Sequence, residues 1–336
     1  MRIASISKLV VALGVMRMVE QGRLDLDRDV SADLGWSLRN PAFPDRPITL
    51  RLLLSHRSSL IDNVDYAIPF GTDLPSALAA PAAFDAAHPP GAYFRYSNLN
   101  FPVIASVMER AGHERFDRLM ARLVLQPLGL DACFNWTTCS EERLARATVL
   151  YGADGAAIRD DLGGRRPHCP VRVPDGAGCD LASYRPGSNG ALFSPQGGLR
   201  LSVHDLAVIG RLLLNHGRHG GERFLTEESV QALVAPAWTF DGSNGETDGG
   251  FYCGYGLAVQ RLRASAADGC RDDLFGHGRA MLGHAGDAYG VRSGLWIDPA
   301  RGTGIAYFAT GNGDDPPRGR TGYRAIEERL ARNLRR

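Results

Sequence analysis

Ser5-Ile6-Ser7-Lys8 opens the chain and runs directly into an apolar segment, Leu9 to Val19. Leu9, Val10, Val11, Ala12, Leu13, Val15, Met16, Met18 and Val19 are apolar almost all round a helix, so that helix has to be buried. The rest of the chain must therefore wrap around an element at its very start. Ser5 and Lys8 are three apart and share one helical face. Ser5 falls at the N-terminus, where free N–H groups and the positive dipole end favour developing negative charge. Of 38 lysines and arginines, Lys8 is the one lysine. A lysine amine can lose its proton in a suitable pocket, whereas a guanidinium effectively cannot. An N-cap serine beside a surface lysine would explain a bare S-x-x-K. A chain that uses arginine everywhere else points instead to proton transfer, and to Ser5 as an activated nucleophile.

With 336 residues and 44% hydrophobic content, the chain can bury a large core, and its length suggests two lobes. The formal net charge is +1, with no like-charge run beyond Arg335-Arg336. That balance argues against a nucleic-acid or membrane-surface partner. No apolar run approaches the ~18 residues of a transmembrane helix. Arg2, Lys8 and Leu9 to Met16 imitate a signal peptide, but Arg17 and Glu20 follow at once and no small-residue cleavage site appears.

Six cysteines fall as neighbouring couples, Cys133 with Cys139, Cys169 with Cys179, and Cys253 with Cys270. Spacing alone leaves on the order of 15 connectivities, and the local couples are the simplest. A zinc site is the rival, but no C-x-x-C occurs and the closest histidine pair, His216 and His219, lies far from any cysteine. Asp25, Asp27 and Asp29 mimic the start of a calcium loop, yet Val30 and Trp36 stand where glycine and glutamate are needed. No metal or cofactor is expected. Three disulfides suggest an oxidising compartment, periplasmic or secreted.

Periodicity predicts helices over Leu99–Arg110, Phe116–Leu125, Val203–Leu214, Thr226–Leu233 and Tyr323–Leu334, and a short one within Pro47–His56. Ser202 is the expected N-cap of the third. Residues 135–200 are rich in Gly and Pro and should form long loops. Strand-like segments follow at Tyr255–Leu262, Gly290–Ile297 and Gly304–Thr310. The expected architecture is α+β in a single catalytic domain of two lobes: a mostly helical part over about 1–245, and an antiparallel sheet with a C-terminal helix over about 250–336.

Two short motifs complete an acyl-transfer inventory. Tyr96-Ser97-Asn98 precedes a helix, and His284-Ala285-Gly286 lies between turns just before a predicted strand. Taken in order, S-x-x-K (Ser5, Lys8), Y-x-N (Tyr96, Asn98) and H-x-G (His284, Gly286) resemble the penicillin-recognising serine hydrolases, in the class C β-lactamase, DD-peptidase and esterase branch. Leu53-Leu54-Ser55-His56, Gln126-Pro127-Leu128-Gly129-Leu130 and Gly197-Gly198-Leu199-Arg200-Leu201-Ser202 extend that resemblance over nearly the whole chain.

The resemblance implies a β-lactamase/transpeptidase-like fold, with the site in a cleft between sheet and helices. It implies a hydrolase that acylates Ser5 on an amide, ester or β-lactam from a small-molecule or peptidoglycan-type substrate. Lys8 and Tyr96 would manage the proton, and Asn98 would hold substrate amide or the Lys8 amine. The N–H groups of Ser5 and Asp287 would form the oxyanion hole. The alternative is a penicillin-binding or sensor-like relative without turnover, or an inactive remnant.

Three departures bear on this. His284 replaces the lysine of class C enzymes, which favours neutral Lys8 over a Tyr96 phenolate as first base and favours peptidase or esterase character; Arg292 is the candidate substitute cation. Ser59 stands where a turn of the family has glycine. The strands that precede the nucleophile in the family are not in this chain, so an exposed sheet edge is expected.

Overall fold

The computed structural model describes residues 1–152, 154–313 and 315–332. Helix α1 (Ser7–Glu20) runs through the centre, with Ser7 to Met16 and Met18 buried except for glancing exposure. It packs against helix α2 (Asn100–Gly112), against the π-helical turn Ala121–Leu125, and against a later helix, Glu227–Val234. A side chain at Gly14 would meet the sulfur of Met120, so glycine is what lets the two elements close. Helices α3 (Val203–Leu214) and α4 (Glu227–Val234) start at side-chain caps: Ser202 and Thr226 accept from the N–H groups of Asp205 and Ser229 at 3.0 and 3.1 Å.

Six strands make an antiparallel meander among the described residues: β1 (Trp238–Thr239), β2 (Gly254–Tyr255), β3 (Gln260–Leu262), β4 (Met281–Ala288), β5 (Val291–Asp298) and β6 (Thr303–Ala309), with spatial order equal to chain order. Strand alternation divides β5 between two cores. Leu295 and Ile297 join the large core on the α3 side, while Trp296 packs with Met281, Ala285, Tyr307 and Tyr323 beneath helix α5 (Ala325–Arg332). The expected α+β architecture is thus present, and β6 is an edge strand among the described residues.

Two expectations change. The run Tyr255–Leu262 is a tight hairpin, with β2 and β3 separated by Gly256–Val259. Gly256 lies so close to the carbonyl of Leu233 that no side chain fits, and Ala258 adopts φ +54°. The apolar continuity of Gly-Leu-Ala-Val concealed that turn. His284-Ala285-Gly286 precedes the expected strand, now β5, but lies within β4 instead of between turns, in register with Leu295, Gly294 and Ser293 of β5. Two glycines, a histidine and an aspartate hide its strand character. Three disulfides close the expected local couples, Cys133–Cys139, Cys169–Cys179 and Cys253–Cys270.

Candidate active site

Ser5 lies in a 3-10 turn, Ala4–Ile6, one turn ahead of α1 instead of at its first residue. Met1 and Arg2 extend beside Leu199–Leu201, with Arg2 bridged to Arg200, Ile3 N–H on the Leu199 carbonyl and Leu201 N–H on that of Met1. The chain must turn sharply from this extension into the helix, and Ala4 does so at φ +49°, a conformation costly for a residue with a side chain. Ser7 Oγ donates to the Ala4 carbonyl at 2.7 Å and holds the turn.

On the opposite side stands β4. It pairs with β3 only over Met281–Gly283, so from His284 to Ala288 its strand partner among the described residues is β5. The free side meets the Ala4–Ile6 turn that carries Ser5. A side chain at Gly286 would strike the Ile3 carbonyl at 2.4 Å and Ser293 Oγ at 2.3 Å, and Ser293 Oγ itself donates to Ile3 O at 2.9 Å. Gly286 therefore lets β4 approach the backbone just ahead of Ser5.

Lys8 is fully buried. Its Nζ lies 3.0 Å from Ser5 Oγ, 2.8 Å from Asn98 Oδ1 and 2.8 Å from the Gln196 carbonyl. Burial lowers its pKa from 10.5 to about 7, partly opposed by the Asp62 carboxylate. Asn98 in turn is held by Asp62, which accepts from Asn98 N–H and Nδ2 at 2.9 Å, from Leu99 N–H at 2.9 Å and from Ser97 Oγ at 2.8 Å.

Tyr96 is stacked between His56 and Tyr252, with ring centroids 4.3 and 4.8 Å away. Burial pushes its pKa upward, partly offset by the nearby Ser5 and Tyr252 hydroxyls, so the phenol keeps its proton. Its hydroxyl is buried and faces those of Ser5 and Tyr252. His284 is also buried, and burial with the Lys8 charge lowers its pKa to about 3. Its Nδ1 faces the Ala285 carbonyl at 2.5 Å and so carries the proton, while Nε2 accepts from Tyr255 Oη at 2.7 Å.

Ser5, Tyr96, Asn98, Gly286, Asp287 and Arg292 all line one cleft of about 1450 Å³. Arg292 lies beside Asp287 in an ion pair and is buried, not a surface strand residue. By strand alternation it shares the α5 face with Trp296, while His284 and Gly286 share the other face with Ser293 and Leu295. It does not occupy the place of the His284 side chain.

Sequence reasoning missed Asp62, Tyr252, Tyr255 and the Gln196 carbonyl, and treated His56 only as flanking text. Aromatic density in Phe251-Tyr252-Cys253-Gly254-Tyr255 was the one legible signal. Asp62 acts through a fold-dependent contact across 36 residues that no spacing announces.

The β-lactamase family model matches residues 1–329, and the chain belongs to that family. Esterase EstB of Burkholderia gladioli is 31% identical over 224 residues, covering 61% of this chain and 54% of the esterase, so the chain spans about half of that relative's length. Among solved structures, D-amino acid amidase from Ochrobactrum anthropi SV3 superposes with TM-score 0.66 at 17% identity, over 99% of this chain and 85% of that one. A penicillin-binding protein homologue from Pyrococcus abyssi gives TM-score 0.65 at 21% identity, over 98% and 65%. At these identities the two structures establish the fold.

Proposed function

We propose that the chain is a serine hydrolase that forms an acyl-enzyme on Ser5 and acts on esters or amides, with esterase or D-amino acid amidase-like character. The observation that carries this reading is the arrangement of acceptors around Lys8. A neutral amine has two N–H bonds and one lone pair. Asn98 Oδ1 and the Gln196 carbonyl can only accept, so they take the two N–H bonds. The lone pair is left to face Ser5 Oγ at 3.0 Å. With its pKa near 7, half the lysines are already neutral at neutral pH.

Ser5 Oγ then attacks the substrate carbonyl as its proton passes to Lys8 Nζ. The N–H groups of Ser5 and Asp287 receive the developing oxyanion; losing one such donor typically costs about 2.7–4 kcal/mol. As the tetrahedral intermediate collapses, Tyr96, protonated at this pH, passes a proton to the leaving group and recovers one from Lys8, whose Nζ lies 5.0 Å from the centroid of the Tyr96 ring. Water repeats the sequence on the acyl-enzyme. His284 is neutral and contributes no fixed cation, which supports ester and amide substrates over β-lactam carboxylate recognition. The three disulfides support action outside the cytoplasm, in a periplasm or secreted.

The test is intact mass over time after mixing with a p-nitrophenyl ester and, separately, with a penicillin. The expected result is an acyl adduct on the ester, mapping to Ser5, that decays with product release and is absent in Ser5→Ala. A stable penicillin adduct without ester turnover would overturn hydrolysis in favour of a penicillin-binding relative. Labelling that survives Ser5→Ala would remove Ser5 as nucleophile.

A further inference from the structure

We propose that Asp62 is a positioning residue that sets which end of the Asn98 side-chain amide faces Lys8, and through it where the Lys8 lone pair points. The proposal rests on the acyl-enzyme reading for its kinetic consequence, but its geometry stands alone. Asp62 lies outside the three motifs, in the loop after the short helix Leu50–Leu54. Its two oxygens accept four bonds from three consecutive residues: Ser97 Oγ and Leu99 N–H on Oδ1, Asn98 N–H and Nδ2 on Oδ2.

A carboxylate can only accept, so the Asn98 amide must turn its NH₂ toward Asp62 and its oxygen toward Lys8. With the oxygen there, Lys8 spends an N–H on Asn98 and keeps its lone pair for Ser5. Were the amide reversed, Nδ2 would donate to the Lys8 lone pair, and the amine could no longer take the serine proton. The backbone bonds to Asn98 and Leu99 fix the height of the carboxylate, so the choice of amide orientation is built into the turn that starts α2.

The groups facing Lys8 are Ser5 from its own turn, Asn98 and Tyr96 from the segment before α2, His56 from the loop after Leu50–Leu54, His284 from β4, and the Gln196 carbonyl. The two histidines are held neutral by burial. Asp62 is the carboxylate that acts on Lys8, and it favours the ammonium. Replacing Asp62 by Asn removes that charge and allows the amide to reverse; both changes disfavour protonated Lys8. The sign is therefore unusual. The variant has more neutral amine at a given pH and yet a slower acylation.

The sole lysine makes the test direct. Protein labelled with ¹³C-lysine carries one side-chain Cε signal, from Lys8. In the Asp62→Asn protein the titration of that signal should move to lower pH, changing the neutral-to-charged ratio by about 10–100-fold, the scale of one charge roughly 6 Å away, across the Asn98 amide, at an effective dielectric of about 20–40. The pre-steady-state acylation rate on a p-nitrophenyl ester should fall about 10–100-fold at its pH plateau, with the acid limb displaced the same way. Asp62→Glu, which keeps the charge, should restore the titration toward wild type.

A folded Asp62→Asn protein whose lysine titrates as in wild type overturns the proposal and leaves Asp62 a structural cap. So does a lower titration with an undiminished acylation plateau. If Asp62→Asn does not fold, Asn98→Leu is read instead: the proposal requires a reduced plateau, and a plateau equal to wild type overturns it. If the wild-type protein shows no ester acylation, the enzyme reading fails, while the shift of the lysine titration still decides the Asp62 contact.

Discussion

At the scale of single residues, the molecule stores its chemistry in a group that its fold disfavours. Lys8 is neutral-leaning because it is buried, and the linkage has a definite sign. Its folded pKa of about 7 lies below the unfolded 10.5, so between those values the unfolded chain binds a proton that the native one does not. Stability therefore rises with pH across that window, and below about 7 the native state must carry a buried charge. Lys8→Met should raise stability near neutral pH by a few kcal/mol while abolishing acylation, a trade-off checked by denaturant titration alongside ester kinetics. Lys8→Arg keeps charge but cannot act as a base, and should slow acylation about 10²–10⁴-fold. A normal rate in that variant would refute proton transfer at this position. Tyr96→Phe leaves the stack with His56 and Tyr252 intact, so its effect should appear in kcat with little change in melting temperature.

At the scale of elements, the site is a meeting of a turn and a strand edge. Gly286 of β4 touches the backbone of Ile3, and no β-carbon fits. Gly286→Ala should push β4 away from the nucleophile turn and lower kcat about 10²-fold or more through the oxyanion contacts, measurable on any ester the wild type turns over. This element also shows what sequence could reveal. The buried helix α1 was legible because nine apolar residues surround it, and the cap at Ser202 because its chemistry is local. The three motifs were legible because their residue types are chemically unusual in combination. Strand β4 was not, since Leu-Gly-His-Ala-Gly-Asp-Ala lacks the β-branched alternation that marks strands. The hairpin at Gly256–Val259 was hidden for the converse reason, an apolar turn. Asp62 was invisible because it acts through a partner that only the fold supplies.

At the scale of the whole molecule, helices and sheet are two walls of one cleft, and disulfide-bearing loops complete its rim. Pro167 and Cys169 to Arg172 line the cleft, with the Cys169–Cys179 bridge closing that segment. The segment is fastened to the 65–70 loop, through the Asp65–Arg172 ion pair and Phe70 N–H to the Arg172 carbonyl at 2.8 Å. The bridge limits how far this wall can move. A Cys169→Ala/Cys179→Ala protein should lose about 2–3 kcal/mol of stability. It should raise KM for bulky acyl donors more than for p-nitrophenyl acetate, because the small ester reaches Ser5 without the wall. Equal effects on both would place the loop outside substrate recognition.

The proposed chemistry requires an amine, Lys8, that is neutral when it acts. The pH titration of the single ¹³Cε-lysine signal in wild-type protein measures that with no assignment to make. A midpoint near 7 is the predicted result and leaves Lys8 able to take the Ser5 proton. A midpoint near 10.5 would mean a permanently charged Lys8, and would contradict its role as the base.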